Sequence, residues 1–325
     1  MFNLSLTACS FHLKKYNSRN NDIFYLNDKL DIGSNKDGET STPNDVVGLF
    51  ESFFNKYAQS VSDGDKQKTF NCVYEKKSCG ETDNYRFLYA IIKSGNYGSS
   101  SEIKNIETQK IVYNKKANES EEKPFYLFIV IPKDTSRIKV QKGIFIFQNV
   151  GTYGVKTITT EYMQDYFSNN FNITLNCKTV APKIFLEKVL KKDSINKLIL
   201  TKNNRSNDSS DNLSYGYGVE TRVLGNLRFS ETVWQKIFSG FNHFMSGRFT
   251  LFEFESIEYS EVKVFVDIGG TQRTINMRNI DNLSVIERIP DEIKGLDGHP
   301  KKDELINHLQ KVTDDYLKEM VLKIS

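Results

Sequence analysis

No stretch of this chain reaches the roughly 18–20 consecutive apolar residues that a membrane-crossing helix needs, so a spanning role is not expected. Cysteine is scarce. Cys9, Cys72, Cys79 and Cys177 stand apart, without Cys-x-x-Cys spacing or neighbouring histidines, which suits reduced thiols better than a metal site or a disulfide framework. Histidine is equally scarce, and His12, His243, His299 and His308 show neither His-x-His nor His-Glu-x-x-His spacing. No Walker-type phosphate loop occurs, so no cofactor and no metal is expected. The first ten residues lack a basic stretch ahead of an apolar one. Their alternation of Phe2, Leu4, Leu6 and Ala8 reads as a half-buried strand rather than a signal peptide, and a cytoplasmic location is the expectation.

Aromatic residues are plentiful, with 23 Phe and 16 Tyr among 325 residues, and these pack well on pleated sheets. Asp45–Val61 places Val46, Leu49, Phe50, Phe53, Phe54, Tyr57 and Val61 near a 3.6-residue period, predicting a helix. Short strands follow over Thr69–Tyr74, Tyr85–Lys93 and Lys110–Tyr113, then the apolar runs 125–131 and 143–150. Helices are expected over Glu161–Phe171, Lys183–Lys192 and Ser230–Met245. A last one, Lys302–Ile324, carries Leu305, Leu309, Val312, Tyr316, Met320 and Ile324 in steps of four and three, the stripe of a core helix or of a dimer seam.

The pattern predicts an α+β fold of mixed sheets with flanking helices and a C-terminal amphipathic helix. The polar segment Ser206–Ser214 is the expected boundary between an α+β lobe over 1–205 and a β-rich lobe over 215–325.

Charge is distributed unevenly. Residues 133–205 hold thirteen Lys and Arg against five Asp and Glu, a local balance of 13 − 5 = +8, whereas the whole chain carries +3. A folded region so much more cationic than its host suits a polyanion, because each Lys or Arg set against a phosphate releases a condensed counterion. The expected phosphate contacts are Lys183, Lys188, Lys191 and Lys192 on the basic helix, supported by Lys139, Lys142, Lys197 and Arg205. An amphipathic helix also presents lysines merely to solvent. No zinc finger, RNA-recognition signature or identifiable helix-turn-helix accompanies them, so contacts to phosphate without base reading are the default.

Three local motifs have simpler readings. Asp267-Ile-Gly-Gly-Thr271 resembles the first phosphate loop of sugar kinases, but too little chain follows it for that fold, and alternation from Val262 to Ile268 predicts a hairpin turning at Gly269-Gly270. Glu261 and Lys263 have the acidic-x-Lys spacing of restriction-type nucleases, where carboxylates hold Mg²⁺ and the lysine steadies the attacking water. The same letters arise on a strand with its charged face outward. Lys93–Ser101 has the Gly and Ser content to cradle an anion and also reads as a plain turn.

A resemblance rests on Pro124-Phe-Tyr-Leu-Phe-Ile-Val130, Gly143-Ile-Phe-Ile-Phe147, Gly151–Tyr166 leading into a helix, Val180-Ala-Pro-Lys183 before the basic helix, and the β-rich stretch closing in Leu305–Ile324. In order and spacing these resemble the DNA-binding component of lambda-type Rex phage exclusion, and are similar in style to the DNA-binding subunit of Kiwa-type antiphage defence. The resemblance implies an intracellular homodimer that binds double-stranded DNA without strong sequence preference, in phage defence, with a membrane-protein effector as partner. It implies no catalytic residues. Two other classes stay open: a metal-dependent nuclease, and a protein-interaction or inhibitor-sensing module that binds no nucleic acid.

Overall fold

The computed structural model describes residues 4–16, 22–32, 42–151, 153–179, 195–204, 218–225, 252–254, 257–268, 271–276 and 286–322. Two units divide the chain, one of Met1–Lys178 with Ile286–Ser325 and one of Thr179–Val285. The first unit begins with β1 (Leu4–Lys15), α1 (Val46–Lys56), β2 (Val61–Asp63), β3 (Lys68–Val73), β4 (Cys79–Glu81) and β5 (Tyr85–Asn96). It continues through β6 (Ser101–Lys104), β7 (Ile111–Lys115), β8 (Lys123–Pro132), β9 (Gly143–Val150), β10 (Tyr153–Gly154), α2 (Lys156–Phe171) and β11 (Ile173–Thr179). The second unit holds β12 (Ile195–Asn204), β13 (Gly218–Gly225), β14 (Phe252–Phe254), β15 (Ile257–Tyr259), β16 (Glu261–Ile268) and β17 (Thr271–Asn276). The chain then returns to the first unit with β18 (Ile286–Arg288) and α3 (Lys302–Leu322).

The fold is α+β. The main sheet runs β11-β1-β9-β8-β5-β3-β2, with β10, β18 and β4 alongside β9, β1 and β5. Where mixed sheets were expected, the strand pairings of defined register are antiparallel. One face of this sheet meets α1 and α2 in an aromatic core. Phe50 of α1 lies 5.4 Å from Phe11, 5.6 Å from Phe145 and 5.7 Å from Phe167, joining two strands and two helices at one ring. Phe11 and Phe145 stack at 4.3 Å across neighbouring strands. The opposite face buries Leu6, Ala8, Tyr126, Phe128, Ile144 and Ile146, and α3 packs there on β8. Tyr85 Oη donates to the Gln310 carbonyl at 3.4 Å. The stripe Leu305, Leu309, Val312 and Tyr316 is buried, so this part of α3 is core.

Two helix ends differ from expectation for local reasons. Asp45 Oδ1 accepts from the Gly48 N–H at 2.8 Å and starts α1 as read, but the helix stops at Lys56 because Val61 pairs with Phe70 in the β2–β3 hairpin. In α2 the helix begins at Lys156, five residues before its expected start. Thr157-Ile158-Thr159-Thr160 are β-branched, and their low helix preference conceals the first turn. β1 was expected to be half-buried, yet Leu4–Cys9 is buried on both faces.

In the second unit the sheet order is β13-β12-β16-β17, with β14–β15 as a separate hairpin. Leu198, Leu200, Val262 and Val264 are fully buried on one face, while Lys197, Ile199, Thr201, Lys263 and Phe265 are half-buried on the other. β12 and β13 pair from Lys197↔Gly225 to Asn204↔Gly218. The expected boundary at 206–214 lies outside the described residues; the two compact units divide at 178/179 and 285/286. Ile268 pairs with Thr271 and Asp267 with Gln272, so β16 and β17 are antiparallel neighbours; Gly269-Gly270 between them lies outside the described residues. Among the described residues no helix is long and apolar enough to cross a membrane.

Candidate nucleic-acid interface

The expected phosphate contacts have different fates. Lys183, Lys188, Lys191, Lys192 and Arg205 lie outside the described residues. Lys139 is engaged: its Nζ stands 2.8 and 3.0 Å from the Asp28 carboxylate and 5.2 Å from the Tyr25 ring, and this pairing raises its pKa. Lys133 is likewise held 3.1 Å from Glu81. Both carboxylates come from outside the basic segment, so the fold neutralises part of the charge that the linear count exposes. Lys197 of the second unit lies over the Phe265 ring at 5.1 Å.

Lys142 has no such partner among the described residues, and pairing of strands builds a cluster around it. The register Phe11↔Gly143 sets His12 beside Lys142. On the other side of β1, Ser10 Oγ donates to the Lys178 carbonyl at 3.3 Å, bringing β11 alongside. Cys9, Phe11 and Leu13 turn into the aromatic core, so the alternation of a strand directs Ser10, His12 and Lys14 to the opposite face. Lys14, Lys142 and Lys178 thus gather around His12 from three strands or their ends. Burial, with the positive charges of Lys142, Lys14 and Lys178, holds the His12 imidazole below its ordinary pKa of 6.5. None of the three ammonium groups forms an ion pair or hydrogen bond among the described residues. Lys14 was invisible to the sequence reading, because it lies far from the basic segment and joins it only through the sheet.

The candidate nuclease residues occupy one face of β16. Lys263 Nζ is 3.5 Å from Glu261 Oε1, and the two strand neighbours are Ile199 and Thr201. Among the described residues no group of three or more His, Cys, Asp and Glu side chains is placed to hold a metal ion. The thiols show one relation that spacing did not reveal. Cys9 and Cys177 hydrogen-bond to each other, which lowers the pKa of Cys9 and raises that of Cys177.

A different kind of site lies at the other end of β9. There Lys68, Lys115 and Lys123 border a cleft of about 270 Å³ together with Ser94, Ser99 and Tyr153. The turn singled out between Lys93 and Ser101 forms one wall of it.

No protein family, curated protein or solved structure matches this chain.

Proposed function

We propose that this protein binds double-stranded DNA through its phosphates, without reading base sequence, as a cytoplasmic component of prokaryotic antiphage defence acting with a partner effector, and that it works as a homodimer. The observation that supports this reading is the group of three ammonium groups, Lys14, Lys142 and Lys178, on one sheet face around His12, with no ion pair or hydrogen bond among the described residues. An open row of cations suits a rod-like polyanion, which presents one charge per roughly 1.7 Å of axis. The defence setting and the membrane-protein effector come from the Rex-like and Kiwa-like pattern alone.

The test is a gel-shift titration with unrelated duplexes at several salt concentrations. Sequence-independent binding that weakens steeply with salt is expected. Replacing Lys14, Lys142 and Lys178 together by Ala should weaken every duplex alike and reduce the slope of log K against log salt by about 3, at roughly 0.9 per phosphate contact. Unchanged affinity and slope would remove the patch from the interface.

A second reading, a protein-interaction module, draws on the β6–β7 hairpin. Ile103, Ile106, Ile111, Val112 and Tyr113 are all exposed there, Ile106 by 87%, and grouped exposed apolar residues mark contact surfaces. Replacing Ile106 and Val112 by Ser separates the two: duplex binding should persist, while a partner that docks on the hairpin would be lost from affinity purification. The nuclease reading gains no support from the Glu261–Lys263 pair, and intact DNA after incubation with Mg²⁺ is the expected result.

A further inference from the structure

We infer that the cleft between β3, β7, β8 and the start of α2 is a binding site for the phosphate of a nucleotide. Among the described residues three lysines and one carboxylate, Glu121, line it. Lys123 Nζ lies 3.5 Å from Glu121 Oε1 and 5.2 Å from the Tyr153 ring. Lys68 has no ion pair among the described residues. Lys115 is the most telling of the three, because only 9% of it is exposed and its Nζ donates to the neutral carbonyl of Ser99 at 3.1 Å. The nearby carboxylate of Glu119 is occupied by the Lys116 N–H at 2.8 Å and by the Tyr113 hydroxyl. The only direct acceptor of Lys115 Nζ among the described residues is thus a neutral carbonyl, with the Glu119 charge acting through space, which leaves the ammonium charge for an anion in the cleft to meet.

A second, independent feature converges on the same space. Tyr153, Gly154 and Val155 line the cleft and lead into the 16-residue helix α2, whose N-cap Val155 has no side-chain cap bond and whose first turn has no acidic residue. The first-turn N–H groups of a helix are unpaired within it, and the helix dipole favours an anion beside them. The wall opposite is fixed by Gly95, where any Cβ would collide with the Glu121 carbonyl. Tyr153, 54% exposed, offers a ring face on which a base can stack. Cations, an uncapped helix start, an aromatic face and a volume of about 270 Å³ fit a mononucleotide phosphate, either free or at the end of a strand.

Isothermal titration calorimetry of the full chain tests this with inorganic phosphate, adenosine, AMP and ATP. AMP or ATP should give saturable binding and adenosine none. Lys68→Ala with Lys123→Ala, both partly exposed, should weaken it by about tenfold or more with an unchanged Tm. Lys115→Met, judged only if its Tm shows it folded, should do the same. No saturable binding of phosphate, AMP or ATP at millimolar concentration overturns the site, as does equal affinity in the Lys68/Lys123 variant. A short single strand with and without a 5′-phosphate assigns the source: preference for the phosphorylated strand indicates a strand end, and equal weak binding alongside tight AMP indicates the free nucleotide. Unphosphorylated duplex, titrated into the same samples, reports on the patch at His12, so either reading can fail without the other.

Discussion

The two ends of β9 carry cations in opposite ways. Near Gly143 the sheet sets exposed Lys142 and Lys178 and half-buried Lys14 around a half-buried histidine, whereas near Val150, where Tyr153 pairs, Lys68, Lys115 and Lys123 border a cleft next to a helix start. An open row engages a long polyanion through many weak, salt-screened contacts. A cleft bordered by cations beside a helix start suits one discrete anion, less sensitive to salt where its groups are partly desolvated. Equal charge therefore implies unequal ligands, and shape decides which.

The harshest way to break the comparison is to remove the frame both ends share. Phe50→Ala takes away the ring that contacts Phe11, Phe145 and Phe167, and a fully buried Phe truncated in this way costs about 3–5 kcal/mol. Chemical denaturation should show that loss, and both ligand affinities should fall together. A loss below about 1 kcal/mol would mean that the ring cluster does not hold the two helices on the sheet.

A milder break concerns the open end alone. Lys139 and Lys142 are near neighbours in sequence, but Lys139 is tied to Asp28 and Lys142, beside His12, has no ion pair among the described residues. Lys142→Ala should therefore weaken duplex binding several-fold, on the scale of one lost phosphate contact, while Lys139→Ala should have a smaller effect because its ammonium must first leave Asp28. Equal effects in the gel shift would mean that the Asp28 pair opens freely, as exposed pairs of low net worth can.

These contrasts show what the sequence made legible. The core period of α1 and α3 and the apolar runs that became β8 and β9 were readable, because each is a local pattern repeated over several turns or residues. The start of α2 was hidden by Thr157–Thr160, and the pairing of β12 with β13 and β16 spans long intervals that periodicity does not record. The charge signal was half legible. A linear count found Lys142 and Lys178 but not the carboxylates of Asp28 and Glu81 that neutralise their neighbours, nor Lys14. For the cleft, the small residues of 93–101 were recognisable, whereas its three lysines come from three strands and the helix end from a fourth segment.

The finest distinction lies in protons. His12 has a folded-state pKa depressed below 6.5 by burial and by Lys142, Lys14 and Lys178; in the unfolded chain it takes up its proton near 6.5. Above that pH the imidazole is neutral in both states and costs nothing. As pH falls through 6.5 toward the folded pKa the unfolded state binds the proton first, and stability declines. His308, also depressed by burial and by Lys311, adds to the same decline, so His12→Gln should flatten it only in part. Duplex binding should respond in the opposite sense. Phosphates set against the three lysines cancel the field on His12, its pKa rises, and binding takes up a proton, at up to about tenfold in affinity per unit of pKa change. Affinity should therefore increase as pH is lowered below about 6.5 toward the folded pKa of His12, and calorimetry in two buffers of different ionisation enthalpy should register the uptake. The cleft, with no histidine among its described lining residues, should show no such gain, and AMP should bind it less well toward about pH 6, where its phosphate takes up a second proton. In His12→Gln the duplex term should vanish; its persistence would show that the phosphates do not approach His12 and would move the open interface elsewhere on the protein.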